Sequence, residues 1–324
     1  MKIAQVIGAL LLLAGPAYAQ TEDAASFPSR TVRVIVPSSP GGPIDAVARI
    51  MADAFKAVWP VPVVVENKPG AGTSTGAAFV AQATPDGYTL LVNPDSIAVN
   101  PSLYPNLSTD PLKSFEPISM LVSATQVLVV RPDLGVSDLK GFIDLAKSKQ
   151  EGLNIASAGA GTISHLTGVL LEQRAGFRTT HVPFRGAAPA LTAMLGGHVD
   201  GMWVMLAPAV PHLRSGKVKA LAVTSAKRDA SLPDVPTAEE SGIADFQVTN
   251  WQGLFAPAGT PKPIIEKIHR TVVDVLQRPE VRARMATLGF EPRGDAGEVV
   301  AEQIRLNVPK WADVVTRAGI KPAQ

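Results

Sequence analysis

Two glycine-bearing loops, each set between a short apolar run and the start of a helical stretch, constrain this chain more than any other feature. Pro40-Gly41-Gly42-Pro43-Ile44-Asp45 follows Thr31-Val32-Arg33-Val34-Ile35-Val36. More than a hundred residues later, Ser157-Ala158-Gly159-Ala160-Gly161-Thr162-Ile163-Ser164 follows Leu153-Asn154-Ile155-Ala156. Glycine lets the backbone approach a ligand closely, and the first turn of a helix carries unpaired N–H groups with a partial positive charge. A carboxylate or phosphate suits such a place, so two such loops can be two half-sites facing one anion. An ordinary strand-to-helix turn has the same local pattern, because glycine also relieves crowding there.

The rest of the chain alternates in the same way. Further strands are expected at 61–66, 88–92, 126–130, 153–156, 179–183, 201–205 and 220–223, with helices at 46–58, 137–149, 164–174 and 189–196. This alternation predicts α/β layers with largely parallel sheets. The stretch 93–117 reads as loop, with X-Pro pairs at Asn93-Pro94, Asn100-Pro101, Tyr104-Pro105 and Asp110-Pro111. Beyond Pro263, Ile264, Ile268, Val272, Val275 and Leu276 recur at helical spacing, and a last helix is expected from about Gly297.

The N-terminus is basic at Lys2, apolar to Gly15 and ends in Ala17-Tyr18-Ala19. This is the pattern of a secretory signal peptide over residues 1–19, cleaved after Ala19, and the expected location is the periplasm. The chain has no cysteine, hence no disulfides and no lipid-modified cysteine. Without its leader the chain carries 29 basic and 28 acidic residues, with 5% aromatics and no basic run interleaved with them. That balance excludes a nucleic-acid-binding surface, and any preference for anions must come from local donors.

Catalytic signatures are sparse. Gly72-Thr73-Ser74-Thr75-Gly76 matches the G-x-S-x-G nucleophile elbow, which leaves a serine hydrolase using Ser74 as an alternative. The elbow needs its serine on a strained turn at the end of a strand, yet Asn67-Lys68-Pro69-Gly70-Ala71 separates Ser74 from the strand. No metal-ligand spacing occurs. Gly159 and Gly161 lack the third glycine and the later acid of a dinucleotide site, so neither metal nor cofactor is expected. Asp45 and Asp200 can bind a ligand or cap a turn, His165 can donate near the second loop or pack, and Arg185 can clamp a carboxylate or sit on a surface loop.

Taken in order, several segments strongly resemble the Bug family, the TctC-like periplasmic solute-binding proteins of tripartite tricarboxylate transporters. They are Val34-Ile35-Val36-Pro37 with Pro40-Gly41-Gly42 and Asp45, Glu66-Asn67-Lys68-Pro69-Gly70-Ala71-Gly72, Pro85-Asp86-Gly87-Tyr88-Thr89-Leu90, Asn100-Pro101-Ser102-Leu103-Tyr104, Gly161-Thr162-Ile163-Ser164-His165, Val182-Pro183-Phe184-Arg185-Gly186 and Ala256-Pro257-Ala258-Gly259-Thr260-Pro261. The resemblance implies an α/β, two-lobed type II periplasmic-binding-protein fold with the ligand cleft between two α/β domains. Domain I would comprise 20–122 and 247–324, and domain II 123–246. It also implies capture of a small organic mono- or dicarboxylate, held by loop backbone, small polar groups and bridging waters, and its delivery by a monomer to the membrane subunits of a transporter. A receptor serving a sensor kinase is the other reading. By position, the resemblance assigns to the ligand Ser38, Pro40, Gly41, Gly42 and Asp45 from the first loop, and Ser157, Ala160, Gly161, Thr162 and His165 from the second. Ser96, Arg185 and Asp200 are further contacts. Ser38-Ser39, Gly72-Thr73-Ser74 and Asn93-Pro94-Asp95-Ser96 depart from the family's customary residues, which bears on the identity of the acid.

Overall fold

The computed structural model describes residues 24–104 and 106–320; the signal peptide expected at 1–19 lies outside them. The strands are β1 (Val32–Val36), β2 (Val63–Asn67), β3 (Thr89–Pro94), β4 (Phe115–Val130), β5 (Asn154–Ser157), β6 (Thr180–Pro183), β7 (Gly201–Met205), β8 (Lys219–Val223), β9 (Thr249–Pro257) and β10 (Glu291–Ala296). The helices are α1 (Pro43–Lys56), α2 (Ser74–Ala81), α3 (Ser96–Leu103), α4 (Leu139–Ser148), α5 (Ile163–Ala175), α6 (Ala187–Leu195), α7 (Leu206–Arg214), α8 (Lys262–Leu276), α9 (Pro279–Thr287) and α10 (Gly297–Arg317).

Two sheets share one strand. From Phe115 to Thr125, β4 pairs antiparallel with β9, and it also pairs with β10; from Gln126 to Val130 it pairs with β7 and β8. The domain crossing expected near residue 123 therefore falls inside a continuous strand. The expectation of largely parallel sheets needs correction. β1 with β2 and β3, and β5 with β6 and β7, are parallel, whereas every pairing of β4 and the β3–β9 pairing are antiparallel. Helical crossovers impose parallel strands only at the flanks, and the strands that pass between the sheets run the other way.

Alternation along each strand feeds two faces. Val32, Val34 and Val36 join a core with α1, α8 and α9, while Ile35 faces the opposite core with Val80, Val300 and Ile304. In the second sheet, Leu128, Val130 and Trp203 pack with α4 and α5, and Val127, Val129, Met202 and Val204 pack with α6 and α7. Each sheet is thus the middle layer of a helix–sheet–helix sandwich. α10 joins both: Val300 and Ile304 belong to the first sheet's core, Trp311, Val314 and Val315 to the second's. Its start lies so close to β4 that a Cβ on Gly297 would come within 2.0 Å of the Pro117 carbonyl oxygen, which requires glycine there.

Candidate ligand site

The first glycine loop is braced by charge. Gly41 adopts φ +84°, and its N–H donates to Asp45 Oδ2 at 2.9 Å. Arg49 Nε donates to the same oxygen at 2.9 Å, and Asn67 Nδ2 donates to Asp45 Oδ1 at 2.8 Å and to the Ser38 carbonyl at 3.0 Å. Burial alone would raise the Asp45 pKa, but the hydrogen bonds from Arg49, Gly41 and Asn67 outweigh it and hold the carboxyl below its usual value. Asp45 is 3% exposed and its oxygens are taken up inside the loop.

The second loop is braced by neutral groups. Gly161 (φ +74°) donates its N–H to His165 Nδ1 at 3.1 Å, Ala158 donates to Ser164 Oγ at 3.1 Å, and Gly159 donates to Ser157 Oγ at 3.1 Å. The His165 ring stacks on His181 with centroids 3.7 Å apart, and His181 Nε2 lies 2.6 Å from Ser157 Oγ. Burial, helped by the neighbouring His181, pushes His165 down to about 4, and burial also lowers His181. A neutral His165 can accept from Gly161, with its own proton on Nε2. Among the described residues, the N–H groups of Ala160, Ile163 and Ser164 keep no partner within the protein.

Between the loops lies a cavity of about 660 Å³. α1, α2, α3, α5 and α6 all begin on its wall, through Pro43 and Ile44, Gly72 and Thr73, Asp95 and Ser96, Thr162 to Ser164, and Ala187. Its floor is β4 and β9, through Gln126, Asn250, Trp251 and Gln252, and Met202, Trp203, Leu103 and Tyr104 add apolar surface. Among the described lining residues there is no Lys, Arg or His, and Asp95 is the one carboxylate. Another concavity of about 750 Å³ lies at the β5–β6 edge, lined by Lys147, Glu172 and Arg178 among others, and neither glycine loop reaches it.

Of the residues singled out from sequence, Ser38, Ser96, Ala160, Gly161 and Thr162 line the cavity. Pro40, Gly41, Gly42, Asp45, Ser157, His165, Arg185 and Asp200 are not among its lining residues. Asp45, Ser157 and His165 stand behind the loops as described above. Asp200 accepts from Arg131 Nε at 3.1 Å and from the Asn154 N–H at 2.8 Å, and Arg185 is exposed on its loop. Ser74 opens α2 after a short 3₁₀ turn at Ala71–Thr73, and its Oγ accepts from Asn100 Nδ2 at 3.1 Å. Sequence reading did not assign Asp95, Asn100, Tyr104, Gln126, Asn250 or Gln252 to the ligand. The available signal was polar residues interrupting apolar strands, as Gln126 does before Val127-Leu128-Val129-Val130.

The family model described as "Tripartite tricarboxylate transporter family receptor" matches residues 47–320, nearly the whole described chain. The chain belongs to that family. It is 33% identical over 322 residues to Protein BugT of Bordetella pertussis, covering 99% of this chain and 98% of that one. Among solved structures, MatC from Rhodopseudomonas palustris with bound malate is 40% identical, with TM-score 0.72 over 89% of this chain and 100% of that one. An R. palustris protein with adipate is 28% identical, with TM-score 0.77 over 92% and 100%. This family member is accordingly a two-lobed solute-binding protein.

Proposed function

We propose that this protein captures a small organic mono- or dicarboxylate in the cavity between the loops and delivers it, from the periplasm, to the membrane subunits of a tripartite tricarboxylate-type transporter, without chemical conversion. The lobes would be residues 20–122 with 247–324, and 123–246. One observation carries the reading: several helix starts converge on a cavity that offers no basic side chain. Free backbone N–H groups and helix dipoles then supply the positive potential that a carboxylate needs, as they do at anion sites generally. The acids bound by the two R. palustris relatives are of this class. Among the described residues no helix is long and apolar enough to cross a membrane, which fits a protein that works beside a transporter.

A thermal-shift screen against mono-, di- and tricarboxylates, phosphate and neutral sugars tests this. A carboxylate at 100 times its dissociation constant should stabilise the fold by about 2.7 kcal/mol. Stabilisation by phosphate or sugars alone would contradict the reading.

A further inference from the structure

The cavity floor sets a buried carboxylate among polar side chains that the protein leaves unpaired. Asp95 sits at the start of α3, 8% exposed, and its Oδ2 accepts from Asn250 Nδ2 at 3.0 Å and from the Trp251 N–H at 3.3 Å. No cation pairs with it among the described residues. Around it, Gln126 Oε1 and Nε2, Asn250 Oδ1 and Gln252 Oε1 are buried without a hydrogen-bond partner, and all three side chains line the cavity. Gln126 is 1% and Gln252 3% exposed. Because Asn250 Nδ2 is committed to Asp95, its Oδ1 is left as an acceptor. Unpaired buried polar groups are costly, and an unpaired buried carboxylate more so.

We propose that this floor is a subsite for a protonated nitrogen, so that the captured molecule is a carboxylate that also carries an ammonium or similar cationic group. The ammonium has donors and no acceptor, which complements Asp95, Gln126 Oε1, Asn250 Oδ1 and Gln252 Oε1. The ligand's carboxylate remains at the helix starts. This subsite rests on the carboxylate reading above and narrows it to an amphoteric acid. A simple dicarboxylate would bring its second carboxylate against the Asp95 carboxyl, which can hold it only while protonated.

The protein supplies Asp95 with no counter-charge among the described residues. Burial pushes Asp95 up to about 7, against the hydrogen bonds from Trp251, Asn250 and Ser96 that favour the anion. Lys310 of α10 lines, with Asp95, a smaller cavity of about 220 Å³. Lys310 does not neutralise it: its Nζ donates to the Gln247 carbonyl at 2.6 Å, and burial lowers its own pKa to about 8. The elements facing Asp95 from β4, β9, α2 and α5 contribute Gln126, Asn250, Trp251, Thr73 and Thr162 to Ser164 on this cavity, none of them ionisable near neutral pH. Binding an ammonium would ionise Asp95 and release a proton.

The test compares matched acids with and without nitrogen: aspartate with succinate, glutamate with glutarate, and 4-aminobutyrate with butyrate. Calorimetry at pH 6 and pH 8 should show the nitrogen-bearing member of the best pair bound about tenfold tighter or more, as expected for a charge-assisted contact. Titrations in two buffers of different ionisation enthalpy should show proton release at pH 6. In Asp95→Asn, which keeps an acceptor for Trp251, the ratio of the two affinities should fall towards one. Gln252→Leu should lower the same ratio without touching a charge. Nitrogen-free acids bound as well or better, with proton uptake and weaker binding above pH 7, would overturn the subsite and make a protonated Asp95 a donor to a second carboxylate. If no acid of either kind binds, the carboxylate reading falls with it.

Discussion

The two glycine loops share one backbone plan and differ in what holds them. The first is fixed by a carboxylate with an arginine and an asparagine, Asp45–Arg49–Asn67; the second is fixed by a neutral histidine stack and hydroxyls, His165–His181–Ser157. In both, a side chain one helical turn onward takes the N–H of the positive-φ glycine, Asp45 for Gly41 and His165 for Gly161. The residues four positions beyond each glycine therefore act as braces that do not line the cavity. The difference lies in chemistry: one brace works by charge and the other fails if it becomes charged.

Removing the charged brace should have the largest effect on the fold. Asp45→Ala would leave the Gly41 N–H and Arg49 Nε without their acceptor and Asn67 Nδ2 with the Ser38 carbonyl alone, at a cost of about 1–3 kcal/mol. Thermal or urea unfolding would measure it, and an unchanged midpoint would break the parallel between the loops. His165→Ala removes one hydrogen bond and the ring stack, so a smaller loss of about 1–2 kcal/mol is expected, together with weaker ligand binding through a loosened Gly161.

Acid should separate the two loops. His165 is pushed down to about 4 from an unfolded value near 6.5, so the folded state binds fewer protons in that interval. Its contribution is complete above about pH 6.5 and is lost as pH falls towards about 4. Asp45 is lowered from 3.8, so its contribution persists above that value and disappears only at lower pH. Asp95, raised to about 7, works in the opposite sense, adding stability as pH falls through 7. A global melting curve sums these. The amide resonances of Gly161 and Gly41 isolate them: Gly161 should shift around pH 4, where the folded His165 takes up its proton, while Gly41 stays in place until lower pH. Simultaneous shifts would show that the braces are not independent.

The smallest effect is expected at the elbow-like motif. Ser74 accepts one hydrogen bond from Asn100 and is not a lining residue, so Ser74→Ala should change ligand affinity by less than about 0.5 kcal/mol. Esterase turnover that vanishes in this variant would contradict a pure binding function.

What could be read from sequence follows the same division between local and distant. The helix starts at Pro43, Ile163 and Gly297 and the strand Gly201–Met205 are set by neighbouring residues and were legible. The first half of β4 was hidden by Pro117, Ser119 and Ser123, and β9 by Asn250 and Gln252, polar residues that break apolar alternation. α3 carries Pro101 and α7 carries Pro211, each of which argues against a helix taken alone. β10, Glu291-Pro292-Arg293-Gly294-Asp295-Ala296, has no strand-forming residue and exists through its pairing with β4. The glycine loops were visible for the same reason as the helix starts. The floor was not, because it is made where β4 and β9 meet, and nothing local marks Gln126 or Gln252 as unpaired.

In the proposed site a ligand carboxylate is held by backbone at the helix starts and not by a salt bridge. Calorimetric titration of the best-binding acid with the wild type, Gly161→Val and Arg185→Ala addresses it most directly, with circular dichroism to confirm that each variant folds. Gly161 lies at φ +74°, a conformation that valine adopts only under strain, and a Cβ there would meet Leu103 Cδ1 at 2.6 Å and push that side chain aside on the cavity wall. Arg185 is exposed and is not a lining residue. The expected result is a loss of about 1–3 kcal/mol in Gly161→Val, against less than about 0.5 kcal/mol in Arg185→Ala. A larger loss in Arg185→Ala than in Gly161→Val would contradict the account and place recognition on an arginine salt bridge.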